Sequence, residues 1–359
     1  MHSSPEQIKK ILMTKKKKPE LSFDKKDLLS SGSTLLNLAT TGTVGGCYGK
    51  GNYVFYVGDS MSGKTWFCHT MMAEACQLRA FKEYQLIHDD VERGAKMDIE
   101  YYFGKRLARR LTIPPLGIST TVEEFYFNVN EALDRGPCIY ICDSMDSLSC
   151  AADIKQYEAE RKAHAEGKET SGSYGTGKAK ANSEGLRLLM GRLEETGSIL
   201  VIISQTRDNI GFGSQFNPKT RSGGKSLRFY SHVEIWTSVV KTLKKKVRGI
   251  DRPQGAITQC RVEKNRINGQ KNRIEVPFYH SYGIDDMDSC VEFLLNEKHW
   301  KKSKASIVAE DLEFKGTKGK LLQHIENNDL EPIVREIVGE VWNEIQDAML
   351  VTGRKKRYE

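Results

Sequence analysis

The octapeptide Gly58-Asp59-Ser60-Met61-Ser62-Gly63-Lys64-Thr65 follows the β-branched and aromatic run Tyr53-Val-Phe-Tyr-Val57 and opens a stretch read as a helix from Thr65 to Phe81. The pattern G-x-x-x-x-G-K-[ST], set between a strand and a helix, is that of a phosphate-binding loop. Such a loop turns backbone N–H groups inward around phosphate oxygens. The helix N-terminus adds positive potential, and glycines stand where a side chain would block close approach. Residues Gly58 to Thr65 are therefore expected to bind a nucleoside triphosphate, with Lys64 reaching its β and γ phosphates and Thr65 ligating Mg²⁺.

Three more apolar runs have the same form. Gln85-Leu-Ile-His88 leads into Asp89-Asp90-Val91-Glu92, Cys138-Ile-Tyr-Ile-Cys142 into Asp143-Ser144, and Ile199 to Ser204 into Gln205. Each reads as a strand with chemistry at its C-terminal end. Strands alternating with helical stretches predict an α/β fold with a mainly parallel twisted sheet, and ligands of such sheets bind at the carboxyl edge. Asp143 is placed there to hold the water shell of the ion at Thr65, which makes Thr65 and Asp143 the candidate metal residues. Hydrolysis also needs a carboxylate beside the attacking water, and spacing alone leaves Asp89, Asp90 and Glu92 open.

The chain divides into a basic arm over 1–30, a core over 31–284 and a smaller, mainly helical segment over 285–359. The arm carries Lys9, Lys10 and Lys15 to Lys18, with too few apolar residues for a core. Between Asp153 and Ser183 the sequence turns polar and glycine-rich, and a loop of that length inside a domain points to function. In the last segment, Leu321 to Ile325 and Ile333 to Met349 repeat apolar residues at helical spacing.

Lys plus Arg number 55 against 47 Asp plus Glu in 359 residues, a net charge of +8 that favours polyanionic partners. No apolar run approaches the roughly 20 residues needed to cross a bilayer, so no membrane role is expected. The eight cysteines form no C-x-x-C pair and no zinc-like spacing. Several lie inside apolar runs, which suits a reducing cytoplasm and a protein that is not secreted.

Taken together, these segments resemble the RecA family of strand-exchange recombinases, both the bacterial RecA and the phage UvsX types. Ser33-Thr-Leu-Leu-Asn-Leu-Ala39 with Gly45-Gly46 is similar to the family's entry segment, and Asp90-Val-Glu92 to its D-x-E. Asp143-Ser-Met-Asp-Ser-Leu148 resembles D-S-[VL]-x-x-L, and Ser204-Gln205-Thr-Arg207 resembles N-Q-x-R with serine in place of asparagine. Gly223-Gly-Lys-Ser-Leu-Arg-Phe-Tyr230 is similar to G-G-x-A-L-[KR]-[FY]-Y, and Val262-Glu-Lys-Asn-Arg266 to V-x-K-N-K. The resemblance implies a RecA-like ATPase core with Glu92 as general base and Gln205 as sensor of the γ-phosphate. Lys264 and Arg266 become cations that reach the ATP of an adjacent subunit, neutralising charge that develops on the γ-phosphate.

The resemblance further implies two DNA loops, the first about Asp153 to Ala181 and the second Ile210 to Ser222. Sequence-neutral binding of a single strand needs cations along a groove and stacking or wedging contacts. Arg207, Lys219, Arg221, Lys225 and Arg228 lie in or beside the second loop, with Phe212 and Phe216 as wedges, while Lys168, Lys178 and Lys180 serve the first. Lys241, Lys244, Lys245, Lys246 and Arg248 form a further basic stretch with the look of a hairpin tip.

The expected activity is DNA-dependent ATP hydrolysis coupled to homologous pairing and strand exchange, with ATP and Mg²⁺ as ligands. Expected partners are single-stranded DNA, homologous duplex DNA and further copies of the chain in a helical filament, with single-strand-binding and loading proteins beside them. The cytoplasm of a bacterial cell or of a phage-infected host is the expected setting. Two other readings share the same core: a ring helicase, and an ATP-binding recombination mediator with little turnover.

Overall fold

The structure, a computed structural model, describes residues 24–167, 177–208, 219–221 and 224–351. Residues 1–23 of the arm expected over 1–30, the middle of the first loop with Lys168, and most of the second loop with Phe212 and Phe216 lie outside the described residues.

The strands are β1 (Leu28–Leu29), β2 (Tyr48–Gly49), β3 (Tyr53–Gly58), β4 (Gln85–Asp90), β5 (Leu111–Thr112), β6 (Cys138–Asp143), β7 (Ile199–Asp208) and β8 (Lys219–Arg221). They continue with β9 (Val233–Val247), β10 (Ile250–Asn265), β11 (Arg273–Tyr279), β12 (Gly283–Ile284), β13 (Lys301–Ser303), β14 (Ser306–Ala309) and β15 (Phe314–Gly316). One large sheet runs in the order β12-β11-β10-β9-β3-β7-β6-β4-β5, with β8 paired to β7. From β9 to β5 neighbouring strands are parallel, and β10 to β12 extend the sheet antiparallel. The expected α/β class with a mainly parallel sheet is the observed one. All of the strands read from the apolar runs are present, and they are neighbours as β3-β7-β6-β4.

Alternation of side chains puts the sheet between two apolar layers. Val54 and Tyr56 of β3, Ile139 and Ile141 of β6, and Val201 and Ile203 of β7 share one core with Leu36 and Leu38 of the helix Thr34–Thr41 and Phe67, Met71 and Met72 of the helix Lys64–Ala75. Tyr53, Phe55 and Val57, with Tyr140 and Ile202, face the other side, where the helices Val122–Arg135 and Gly177–Thr196 pack through Phe125, Val129, Leu186 and Leu189.

The structure departs from the sequence reading in three places. The helix expected over Thr65 to Phe81 ends at Ala75, and a 3-10 turn covers Arg79–Phe81. The segment expected to be a loop from Asp153 is helical over Ala151–Ala165, because Ala151-Ala-Asp-Ile-Lys-Gln-Tyr-Glu-Ala-Glu-Arg-Lys-Ala-His-Ala165 contains no glycine or proline and is mostly strong helix formers. The C-terminal segment contains the expected helices, at Lys318–Asn327 and Glu331–Ala348, and also a sheet in the order β13-β14-β15. Trp300, Ile307, Leu321, Ile325, Val334 and Val338 from this segment join the core that holds Val54 and Tyr56. The basic stretch is indeed a hairpin tip: β9 and β10 turn through Arg248 and Gly249, both at positive φ, as the tight two-residue hairpin requires.

Candidate functional site

Parallel register aligns the chemistry-bearing strand ends. Gly58 pairs with Gln205 across β3 and β7, and Asp90 with Asp143 across β4 and β6. The phosphate-type loop, Glu92, Asp143 and Gln205 therefore lie along one edge of the sheet.

The loop is shaped for an anion. A Cβ on Gly58 would collide with Thr237 and with Ser62 Oγ, so only glycine lets the loop pack against β9. Gly63 takes φ 88°, and no side chain caps the helix that starts at Lys64. The amides of its first turn are thus left to another acceptor, the arrangement that suits phosphate. Ser62 Oγ donates to Asp59 O at 2.7 Å and shares a 2.7 Å hydrogen bond with Thr237 Oγ1, fixing the loop's far side. Met61 is exposed at the rim, with Ser60 beside it. Lys64 is buried, its Nζ donating to Gly58 O at 2.9 Å and Asp59 O at 2.7 Å. Burial pulls its pKa down against the charges of Asp143, Glu92 and Asp59.

Thr65 Oγ1 donates to Asp143 Oδ2 at 2.5 Å. Burial works against ionisation of Asp143, but the nearby His88 ring, the Thr65 hydroxyl and the charge of Lys64 outweigh it, leaving the carboxyl below its ordinary value. Among the described residues no cluster of three or more His, Cys, Asp or Glu side chains could hold a metal ion. Mg²⁺ needs no such cage, because it keeps most of its waters and binds one or two protein oxygens together with phosphates. The hydroxyl of Thr65 beside an ionised Asp143 fits that ion.

Structure separates the three carboxylates that spacing left open. Asp89 is fully buried, accepting from Ser119 N at 3.0 Å, Ser119 Oγ at 2.6 Å and Tyr140 Oη at 2.8 Å. Asp90 accepts from the turn amides of Gly94 and Ala95 at 3.0 and 3.2 Å. Glu92 alone of the three faces the shared edge, where its Oε1 accepts from Gln205 Nε2 at 3.0 Å, from Ser147 Oγ at 3.3 Å and from Ser144 Oγ. The Gln205 amide N–H also donates to Asp146 Oδ2 at 2.7 Å.

Asp59 links this edge to the second loop. Its carboxylate accepts from Thr206 Oγ1 on β7 and from Lys219 Nζ on β8. Burial works against ionisation, but Lys219 and Thr206 hold the Asp59 pKa below its ordinary value.

Lys264 and Arg266 are not brought to the phosphate-type loop. Lys264 pairs with Glu234 and Asn265 with Val233 across β10 and β9, while Val233 pairs with Val54 at the beginning of β3. The stretch of β3 from Val54 to Gly58, about 13 Å at some 3.3 Å per residue, separates them from the loop. Lys264 Nζ donates to Arg228 O at 2.5 Å and Phe229 O at 2.8 Å, and Arg266 Nη2 to Phe229 O at 2.9 Å, so both cations cap the end of the helix Lys225–Tyr230. Burial, then the charge of Arg266, lowers the Lys264 pKa to about 8.

The cations read as DNA contacts divide into two groups. Arg207, Lys180 and Lys225 are exposed, and Lys219 is exposed but paired with Asp59. Lys178 instead turns inward, donating to Asp146 O at 3.0 Å and Leu148 O at 2.7 Å, and Arg228 Nε meets the fully buried Glu234 carboxylate at 2.9 Å. Of Arg221, only its place in β8 is described.

Sequence reasoning passed over two further features. Trp66, the residue after Thr65, packs edge-on against Tyr102 and Phe278, with ring centroids 4.8 and 4.7 Å away, and Tyr101 stands exposed beside Tyr102. Buried His69 and His88 lie behind Asp143. Their signals, an aromatic triplet Tyr101-Tyr-Phe103 and single histidines in apolar elements, are ordinary for a core.

Comparison with known proteins adds the following. The family model described as the RecA N-terminal domain matches residues 9–285. The Protein RecA of Clostridium perfringens is 26% identical over 322 residues, covering 86% of this chain and 82% of that protein. That of Laribacter hongkongensis is 27% identical over 286 residues, covering 79% and 72%. That of Corynebacterium efficiens is 26% identical over 283 residues, covering 77% of this chain and 64%, less than two thirds, of that protein.

Proposed function

This chain belongs to the RecA family, and from that premise we propose that it is an ATP-dependent recombination protein: it polymerises on single-stranded DNA with ATP between successive subunits, pairs that strand with homologous duplex, and releases after hydrolysis. The observation that carries this reading is the 3.0 Å contact between Glu92 and Gln205 at the sheet edge that bears the Gly58 to Thr65 loop. Gln205 is the point where a nucleotide-binding edge runs on, through Arg207, into the second loop.

In this reading the loop amides from Ser60 to Thr65 bind the β and γ phosphates, and Lys64 exchanges its Gly58 and Asp59 carbonyls for phosphate oxygens. Thr65 and Asp143 would hold Mg²⁺, which when bound would supply positive charge beside the phosphates. Glu92 orients and deprotonates the attacking water. Tyr101, at the rim of the Trp66 cluster, offers a flat face to the base. Lys264 and Arg266, about the length of β3 away from their own loop, serve the site of the next subunit, which ties hydrolysis to assembly.

Arg207, Lys180, Lys219, Lys225 and Arg221, with Phe212 and Phe216, supply the DNA surface. Lys178 and Arg228 support it from within, through the Asp146–Leu148 turn and through Glu234.

The test is joint-molecule formation. Purified protein, ATP, magnesium, a single strand and homologous supercoiled duplex should yield D-loops, and electron microscopy with a slowly hydrolysed ATP analogue should reveal helical filaments. Closed hexameric rings that unwind a forked duplex, or protein that stays monomeric on the strand, would overturn the reading.

A further inference from the structure

Two buried histidines stand in line behind the candidate magnesium carboxylate. His69 lies one helical turn beyond Thr65, and His88 lies on β4, two residues before Asp90. His69 Nε2 and His88 Nδ1 are 3.2 Å apart, and the rings meet edge to face at 4.7 Å. His88 Nε2 points on toward Asp143 Oδ2, 3.9 Å away. That nitrogen and His69 Nδ1 are both buried without a hydrogen-bond partner.

Proton bookkeeping selects one arrangement for neutral rings. If His88 donated through Nδ1, its Nε2 lone pair would face the Asp143 carboxylate, and His69 would bury an unpaired N–H. Both are unfavourable. If His69 donates through Nε2 instead, His88 carries its proton on Nε2, aimed at Asp143, and only a lone pair of His69 is left unmatched. The second arrangement places a donor against the oxygen that already accepts from Thr65, and leaves Oδ1 for a metal-bound water. A turn of about 1 Å would bring 3.9 Å into hydrogen-bond range, and such contacts tighten when a site fills.

We propose that His88 is a positioning residue for Asp143, set in its Nε2–H tautomer by His69, and that the pair fixes how the protein holds magnesium beside a nucleotide. The inference rests on the phosphate-loop reading of Gly58 to Thr65. It concerns an outer partner of a metal carboxylate, a kind of group whose removal typically weakens metal affinity by about 10–100-fold.

The experiment is a magnesium titration of full-length protein with a fluorescent, slowly hydrolysed ATP analogue. Three variants are compared: His88→Phe, which keeps the bulk without a donor; His88→Gln, whose amide reaches the Nε2 position; and His88→Asn, whose amide reaches only the Nδ1 position. Half-saturating magnesium should rise about tenfold or more in H88F and H88N and stay within about twofold of wild type in H88Q. Binding of the analogue in EDTA and the melting temperature of the free protein should be alike in H88Q and H88N, a pattern that a merely structural role would not give. Wild-type magnesium dependence in H88F, or equal defects in H88Q and H88N, overturns the proposal while leaving the nucleotide site intact. If H88F does not fold, the contrast between H88Q and H88N decides. A wild-type protein that binds the analogue without regard to magnesium removes the underlying reading, and this inference with it.

Discussion

Gln205 donates its side-chain amide to Glu92 Oε1 at 3.0 Å while its backbone N–H is held by Asp146 Oδ2 at 2.7 Å, so one residue ties the candidate base to β7, the strand that runs toward the second loop. In the proposed reading, a γ-phosphate entering this edge would compete with Glu92 for the same amide. Turning Gln205 toward phosphate would free one side of Glu92 for water and pull on the strand that leads to Arg207, and chemistry and DNA contact would then be joined through a single side chain.

Glu92→Gln keeps the size and the hydrogen-bonding capacity of the site but removes the base. Phosphate release in the presence of single-stranded DNA should fall by about 10²–10⁴-fold. Nucleotide binding, followed with a fluorescent analogue, should stay near wild type. A variant within a few-fold of wild-type turnover would return the role to another group.

Gln205→Ala removes the shared amide without touching the phosphate loop. The rise in oligonucleotide affinity caused by a slowly hydrolysed ATP analogue, read by fluorescence anisotropy, should disappear, while affinity without nucleotide is retained. If the analogue still tightens DNA binding in this variant, the coupling runs elsewhere.

Asp89 lies three residues before Glu92, yet it belongs to the core. Its carboxylate satisfies Ser119 and Tyr140, and burial raises its pKa despite those donors. Asp89→Ala strands these donors in a dry interior, so the protein should lose about 2 kcal/mol or more of stability, read as a lower urea midpoint. The same change at Asp90, whose carboxylate caps exposed turn amides, should cost clearly less. Equal losses at the two positions would contradict this division of labour.

The sheet and the loop were legible because long β-branched runs such as Ile199 to Ile203 and the spacing from Gly58 to Thr65 depend on local pattern alone. β13 to β15 were not, since strands of three or four residues carry too few alternations to register a period. Asp89, Asp90 and Glu92 could not be ranked from spacing, because the roles of Asp89 and Glu92 depend on Ser119 and Gln205, partners that only folding brings near. Lys178 and Arg228 read as DNA cations for a related reason. A basic residue near a loop looks solvent-facing in one dimension; the Leu148 carbonyl that claims Lys178 is 30 residues away, and Glu234 meets Arg228 only because the chain turns between the helix Lys225–Tyr230 and β9. His88 carried no signal at all, since a lone histidine in an apolar strand is what a core usually contains.

Asp59 is an unusual neighbour for a triphosphate, and Lys219 and Thr206 offset its charge. Lys219→Ala exposes the phosphates to an uncompensated carboxylate, so ATP affinity should weaken several-fold, by an amount on the order of a surface ion pair. Asp59→Ser should tighten binding, and the double variant should match Asp59→Ser alone, because Lys219 then has no partner to lose. Strictly additive effects in this cycle would mean that the two side chains act independently on the nucleotide.

Lys264 and Arg266 cap the carbonyls of Arg228 and Phe229, away from their own loop, so their action on ATP is testable as a property of pairs of subunits. Lys264→Ala should lower DNA-dependent turnover by about a thousandfold, as loss of a trans cation typically does. Mixing it with Glu92→Gln should restore activity, because an interface that joins a Lys264→Ala nucleotide site to the cations of a Glu92→Gln subunit lacks nothing. A pH profile separates this role from folding. Burial and Arg266 bring the Lys264 pKa down to about 8, so its charge, and with it kcat/KM, should decline as pH rises through about 8. Stability runs the other way: from about 8 up to the ordinary lysine value the unfolded chain binds more protons than the folded one, so this group makes folding more favourable as pH rises. Lys264→Arg should flatten the activity decline while leaving Arg266 in place. If the declining limb survives in that variant, Lys264 is not the group whose proton the reaction needs.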